Sequence, residues 1–535
     1  MLKQHEWLKG AVIYQIYPRS FKDSGNSGVG DLQGIISKLD YLAGTKDSIG
    51  ATGIWMSPIN PSPMADFGYD VSDYTNIDPL FGSLNDLKQL VKEAHKRDLK
   101  VLMDFVPNHT SDEHPWFQES KSSLDNLKRD WYTWRDPTPD GRTPNNWISV
   151  FGGSAWEYSK QTKQYYLHTF LTQQPDLNWD NPEVREAMKA AMRFWLDIGV
   201  DGFRVDAIDW LSKDANLRDD PRHADIPRSE YELHYSLIHR YSRDGPHLHE
   251  RLTEMTDVLA EYEDRFMVIE AHPETADRLK GYQQYYDAIN PVYCAPFNFE
   301  LLYMPWRADS FKSYIDKFQE ALKTDCTPVY TFGNHDEPRL ASRIGLDAAR
   351  TAAVLLLTLP GIAFVYYGEE LGMSDVEISP QQIKDPSAMY GKSRDPERTP
   401  MQWDDSKFAG FSSSSPWLPV GPDYKKRNVA TEALSPDSFL SLYKKLIHLR
   451  KTNPALHSGE LKSLDAPNGI YIFQRVHSKS TVHVYINFTN ESKTLKPFKP
   501  GTLLLSSNTA RVDETILANK LILKPHEAII LAIGK

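Results

Sequence analysis

Three carboxylates in this sequence each follow a short apolar run. Asp206 closes Gly202-Phe203-Arg204-Val205-Asp206, Glu270 follows Arg265-Phe266-Met267-Val268-Ile269, and Asp336 follows Phe332-Gly333-Asn334-His335. In a strand, residues two apart point to the same side, so Arg204 and Asp206 should emerge together. A carboxylate beside an arginine stays ionised at neutral pH, the state a nucleophile needs. Glu270 follows three apolar residues, and partial burial would raise its pKa and keep it protonated as a general acid. Asp336 supplies a third carboxylate, able to grip hydroxyls and stabilise developing positive charge. An isolated Arg-x-Asp reads as a structural ion pair. Three carboxylates at separate strand ends, flanked by histidine and arginine, read instead as glycoside hydrolysis with retention, in which two carboxyls sit roughly 5–5.5 Å apart.

The elements that must position them alternate along the chain. Strand candidates are Ala11–Pro18, Gly53–Pro58, Lys100–Val106, Gly202–Asp206, Arg265–Glu270, Ala295–Leu301, Pro328–Gly333 and Gly361–Tyr367. Their near-continuous apolar character predicts a parallel sheet covered by helices. The helices between them include one with Leu32, Ile35, Ile36, Leu39 and Leu42 at helical spacing, and one opened by Ser83 and Asp86 as a capping pair. A third starts at Asn181-Pro182, and a last one runs from Ser435 to Arg450. Eight such units predict an α/β fold, a (β/α)₈ TIM barrel whose active site lies at the C-terminal strand ends. The barrel is expected to comprise residues 1–108 and 177–456. Residues 109–176, rich in Trp, Asp, Pro, Ser and Gly, form an inserted small domain after strand three. Residues 457–535, with short alternating runs such as Gly469–Phe473 and Val482–Ile486, form a C-terminal antiparallel β domain.

Composition narrows the function classes. A net charge of −11 argues against a nucleic-acid partner. Thirteen Trp and 27 Tyr suit sugar stacking as well as cores. Cys294 and Cys326 offer neither metal spacing nor a disulfide framework, which favours a reducing compartment. The start, Met1 to Lys9, lacks a signal-peptide core, and no apolar stretch reaches 18 residues. A cytoplasmic monomer or homodimer without a membrane partner is expected.

The motifs resemble those of glycoside hydrolase family thirteen, the α-amylase superfamily. Asp104-Phe105-Val106-Pro107-Asn108-His109, Gly202–Asp206, the strand ending in Glu270, and Phe332–Asp336 match its four signature regions in order. The resemblance covers nearly the whole chain. It implies Asp206 as nucleophile, Glu270 as acid/base and Asp336 as transition-state stabiliser, with His109, Arg204 and His335 contacting the sugar or these carboxylates. Asp66-Phe67-Gly68-Tyr69-Asp70 and Arg394-Asp395-Pro396-Glu397-Arg398-Thr399-Pro400 resemble the α-glucosidase and oligo-1,6-glucosidase branch. There Asp66 would bind a terminal glucose, Tyr69 would stack under it, and Arg398 would pair with Asp66 to close the pocket. Phe151 and Phe170 lie at positions resembling aromatic pocket walls, or else in the core of the small domain.

Two departures from the pattern carry expectations. Ala207 follows the expected nucleophile where oligo-1,6-glucosidases typically carry Val, which favours α-1,4 or broad linkage specificity. The loop Asp23-Ser24-Gly25-Asn26-Ser27-Gly28-Val29-Gly30-Asp31 resembles a calcium-binding loop, with Gly25 and Ser27 in place of two oxygen ligands. Asp23 and Asp31 would then hold Ca²⁺ weakly. No cofactor is required. The resemblance implies an exo-acting α-glucosidase on short oligosaccharides or disaccharides, maltose-like or sucrose. An oligo-1,6-glucosidase, or a glucosyl-transferring or isomerising enzyme on the same scaffold, is the alternative. A non-catalytic transporter heavy chain would lack these carboxylates.

Overall fold

The computed structural model describes residues 5–226, 233–274, 277–323, 325–390, 392–508, 511, 515–516 and 520–534. The sequence reading of Met1 to Gln4 lies outside them. The strands in chain order are β1 (Val12–Ile16), β2 (Gly53–Met56), β3 (Lys100–Phe105), β4 (Trp134–Arg135), β5 (Trp156–Ser159), β6 (Gln164–Leu167), β7 (Gly202–Val205), β8 (Phe266–Ile269), β9 (Cys294–Pro296), β10 (Val329–Thr331) and β11 (Ile362–Tyr366). Eight of them form one parallel sheet in the order β10-β11-β1-β2-β3-β7-β8-β9. The sheet closes at its seam, where Asn298 bridges Tyr330 and its N–H donates to Val329 O at 3.1 Å. The fold is the expected TIM barrel. β1, β7, β8 and β11 are buried at every position, as near-continuous apolar runs require when helices cover a parallel sheet.

The sixth strand is shorter than its apolar run suggested. β9 ends at Pro296, Phe297 N still donates to Ile269 O at 2.9 Å, and the chain then turns into a helix over Glu300–Tyr303, with Glu300 N donating to Asn298 Oδ1. The expected helix over 32–42 splits into Leu32–Ile36 and Leu39–Leu42, because Lys38 leaves helical geometry (φ −113°, ψ 6°). Ser83 and Asp86 do form a reciprocal capping box ahead of helix Leu84–His95. Helix Pro182–Ile198 starts at Asn181 and ends at Gly199, whose φ of 107° suits glycine. The helix expected from Ser435 to Arg450 spans Phe439–Thr452, capped by Ser438, and a short helix, Pro454–Ser458, follows it.

Between β3 and helix Pro182–Ile198 the chain forms a small antiparallel sheet in the order β4-β6-β5. It leaves and rejoins the barrel side by side, at a bridge between His109 and Asp176. The C-terminal part adds β12 (Glu460–Leu464), β13 (Ile470–His477), β14 (Ser480–Asn487), β15 (Lys493–Leu495), β16 (Gly501–Ser506), β17 (Thr515–Ile516), β18 (Leu521–Leu523) and β19 (Ala528–Ile533). These make a six-stranded antiparallel sheet and a two-stranded one. Buried Arg475 ties this unit to the barrel by donating to Thr358 O and Gly459 O.

The backbone aims the carboxylates. Asp206 N donates to Phe105 O at 2.8 Å, and Glu270 N donates to Val205 O at 2.9 Å. Each acid therefore stands one residue past its strand, still pinned to the neighbouring one. Gly202 lets β7 approach β8 closely: a Cβ there would sit 1.7 Å from Phe266 O. Gly202→Ala is expected to destabilise the protein by about 3 kcal/mol or more, read as a lowered urea midpoint. An unchanged midpoint would contradict this packing.

Candidate active site

Arg204 is the centre of the site. Its side chain is 2% exposed. Nη1 binds Asp206 Oδ1 at 2.6 Å and Asp104 Oδ1 at 3.0 Å, while Nη2 binds Glu270 Oε2 at 2.9 Å. The i, i+2 alternation of β7 puts Arg204 and Asp206 on one side, as expected. The rings of Trp55 and Tyr69 lie 5.2 and 5.8 Å from the guanidinium carbon. Ala207, in left-handed backbone (φ 49°, ψ 38°), donates its N–H to Glu270 Oε2 at 3.1 Å.

This sharing reverses the expected directions of the two pKa shifts. Arg204 does not single out Asp206. Burial raises the Asp206 pKa well above the ordinary aspartate value, and the negative charges of Glu270 and Asp104 push it further up against the opposing effect of Arg204. Glu270 is also buried, yet Arg204 and then His272 hold its pKa well below the usual range. The two carboxyls share one guanidinium and therefore titrate as a pair.

Asp336 stands on a second cationic group. Arg398 Nη2 binds its Oδ1 at 2.7 Å and Arg394 Nη1 binds the same oxygen at 3.2 Å. Burial works against ionisation, but His335, Arg398 and Arg394 outweigh it and hold Asp336 well below the ordinary range. His335 lies beneath the site: Nε2 meets Tyr69 Oη at 2.7 Å, Nδ1 meets Gln15 Nε2 at 2.9 Å, and the ring stacks on Tyr69 at 5.5 Å. Burial lowers its pKa to about 3, and that of His109 to about 4, so both rings are neutral at working pH.

The expected Asp66–Arg398 pair does not form. Asp66 Oδ1 instead accepts from Arg394 Nη2 at 2.8 Å. The short 3₁₀ turn Pro396–Arg398 turns the second arginine inward, under Asp336 and His335 O, and leaves the first facing the cavity. Arg394 is fixed from behind by Asp385, which accepts from Nε at 3.0 Å and Nη2 at 2.8 Å.

These groups face a cavity of about 340 Å³, near the small end of ligand pockets. Asp206, Glu270, Asp336, Asp66, Tyr69, His109, Phe151, Phe170 and Arg394 line it, whereas Arg204, His335 and Arg398 lie behind its wall. Phe151 and Phe170 meet edge to face at 6.3 Å, and Phe170 packs 4.9 Å from His109. They are therefore wall residues rather than core of the small sheet. Trp210, His234, Arg243, His272 and Tyr303 also line it, and the sequence reading named none of them as site residues. Arg394 and Asp104 were within reach, since both belong to stretches already singled out.

Asp23 and Asp31 lie elsewhere. Asp23 accepts from Gly25 N, Gly28 N and Ser412 Oγ. Asp31 caps a helix through Gly34 N and accepts from Ser24 and Gly25. Their oxygens already face N–H and O–H donors, so this donor set does not fit the calcium ion suggested by the loop pattern.

The model of the alpha-amylase catalytic domain family matches residues 15–459. The chain belongs to the alpha-amylase family. A probable alpha-glucosidase of Rhizobium meliloti is 41% identical over 514 residues, covering 91% of this chain and 90% of the relative. An oligo-1,6-glucosidase of Parageobacillus thermoglucosidasius is 39% identical over 571 residues, 98% of each. The crystal structure of an alpha-glucosyl transfer enzyme matches with a TM-score of 0.91 and 37% identity, over 99% of this chain and 100% of that one. This alpha-amylase family member is a glycoside hydrolase of the glucosidase type. Among the described residues, no helix is long and apolar enough to cross a membrane.

Any reaction that needs Asp206 as a carboxylate loses rate as pH falls through its raised pKa. The acidic limb of kcat/KM is thus expected above the ordinary Asp value of about 4. Arg204→Met removes the charge that opposes the rise, so the limb should move to higher pH while kcat/KM falls by roughly 10³-fold. A limb at or below the ordinary aspartate value in wild type, or one unmoved in the variant, would contradict this electrostatic picture.

Proposed function

We propose that this protein is a retaining, exo-acting α-glucosidase that releases terminal glucose from short α-glucosides through a covalent glucosyl-enzyme. The observation that carries the reading is one guanidinium holding Asp206 and Glu270 beside a pocket capped by Asp66 and Arg394. Two carboxyls held on the two Nη atoms of one guanidinium favour the short separation of a retaining pair over the wider gap of an inverting one. The cap contributes charge-assisted donors and acceptors for the hydroxyls of a terminal sugar, and a chain continuing past it would collide with the ion pair.

In this reading the bound glucoside meets Asp206 ionised and Glu270 protonated. Asp206 attacks C1 as Glu270 protonates the departing oxygen. Asp336, held ionised by Arg394 and Arg398, stabilises the positive charge that develops on the ring. Glu270 then takes a proton from water, which cleaves the ester and restores Asp206. Neutral His109 can hydrogen-bond hydroxyls without adding charge.

Ala207 supports α-1,4 or broad linkage specificity. Its left-handed backbone strains a β-branched side chain more than Ala, and its amide fixes Glu270. Glucosyl transfer is the second reading, favoured by the aromatic mouth of Trp210, His234 and Tyr303, where an acceptor sugar can stack.

Asp206→Asn is expected to lose ~10⁴-fold or more in kcat on maltose with its fold intact. Retained activity would remove Asp206 as nucleophile. Proton NMR of wild-type reactions should show α-glucose appearing before β-glucose; β first would exclude retention. Wild type should cleave maltose, and Ala207→Val should lower the maltose/isomaltose ratio of kcat/KM by about 10-fold. Activity on isomaltose alone in wild type would overturn the linkage reading.

A further inference from the structure

His272 is two residues past Glu270, outside every strand, and it is built into place from four sides. Its N–H donates to Asp209 Oδ2 at 3.1 Å, and its carbonyl accepts from Arg243 Nη2. Its ring stacks on Phe299 at 5.0 Å with an interplanar angle of 14°. Its Nε2 is 3.4 Å from Glu270 Oε1, and the ring edge lines the catalytic cavity. Asp209 and Arg243 are themselves locked together, and Tyr285 Oη donates to Asp209 at 2.6 Å. A side chain whose only function was to fill the wall would not need its backbone clamped on both sides.

Glu270 has one carboxyl oxygen already committed to its neighbours. Oε2 is taken by Arg204 Nη2 and Ala207 N, and Oε1 faces His272 Nε2. The imidazole is thus the nearest hydrogen-bond donor to the oxygen that must protonate the leaving group. We propose that His272 is a positioning residue for the acid/base step, holding Glu270 Oε1 and passing it the proton that the departing oxygen takes up. The inference rests on the proposed acid/base role of Glu270.

The step balances within the chain. The Nε2–H bond breaks as the Oε1–H bond forms. That proton moves to the glycosidic oxygen as its bond to C1 breaks and the bond from Asp206 to C1 forms. In the second half, the proton removed from water by Glu270 returns to His272. The charged groups facing the ring fit this traffic: Glu270 and Asp209 favour its protonated form, while Arg243 opposes it. Burial also works against the charge, yet the two carboxylates outweigh both and leave the His272 pKa raised.

The test is a set of aryl α-glucosides of similar shape whose leaving phenols differ in basicity. His272→Phe keeps the stack on Phe299 and removes the nitrogen, and His272→Gln keeps a hydrogen-bond donor that cannot pass on a titratable proton. Both variants should lose at least about tenfold more kcat/KM on the para-methoxyphenyl glucoside than on the para-nitrophenyl one, part of the roughly 10²–10⁴-fold that general-acid help contributes. If His272→Phe fails to fold, judged by its thermal midpoint, His272→Gln carries the test alone. Equal losses on both substrates, a change in KM only, or wild-type behaviour in His272→Gln would overturn the proposal. Glu270→Gln assayed beside them separates the two failures: if it too shows no dependence on the leaving group, the acid/base reading of Glu270 has failed rather than the role of His272.

Discussion

One buried guanidinium carries the site. Arg204 meets Asp104, Asp206 and Glu270 within 3.0 Å while almost wholly out of water. Three carboxylates so close repel one another, and an unpaired buried charge of either sign costs several kcal/mol. Each side of the arrangement therefore requires the other. The barrel supplies what neither can: β3, β7 and β8 are adjacent and parallel, and backbone hydrogen bonds pin the residues just past two of their ends. The closeness of β7 and β8, which only a glycine at 202 permits, sets the spacing of the two acids.

A second cationic group mirrors the first across the cavity. Arg398 lies beneath Asp336, and Arg394 bridges Asp336, Asp66 and Asp385. The two groups set different protonation states. Asp336 is held ionised by its positive neighbours, whereas Asp206 and Glu270 divide one arginine, with the pKa of Asp206 pushed up and that of Glu270 held down. His109 and His335, both buried and neutral, separate these regions without adding charge. A pocket of this kind suits a neutral polyhydroxylated ligand whose charge appears only during reaction.

Much of this was legible in the sequence because strand ends are legible. The apolar runs before Asp206, Glu270 and Asp336 fixed both the barrel and the rim on which they meet. Where charges settle was not legible. The sequence shows Arg204 two residues from Asp206 but not that Glu270, 66 residues on, takes its other nitrogen. The Arg394–Arg398 stretch was recognised, yet a 3₁₀ turn decides which arginine faces the cavity, and turn geometry leaves a weak trace in sequence. The Asp23–Asp31 loop shows the opposite failure. Its acidic spacing resembled a metal loop, but hydroxyl and N–H donors fold onto the same oxygens. Trp210 sits in the 3₁₀ turn Ile208–Trp210, and Arg243 and His272 lie outside helices and strands, where no periodicity marks them.

The central claim is that Arg204 presents Asp206 as the atom that bonds to the sugar. Trapping that bond tests it most directly. Glu270→Gln incubated briefly with α-glucosyl fluoride, whose leaving group needs no acid, should accumulate a glucosyl ester, because no base remains to hydrolyse it. Peptide mass spectrometry of the quenched protein should find one hexosyl unit on the peptide containing Asp206. A hexosyl unit on Asp336 or Asp104, or fluoride release with no covalent adduct at any time point, would contradict the account.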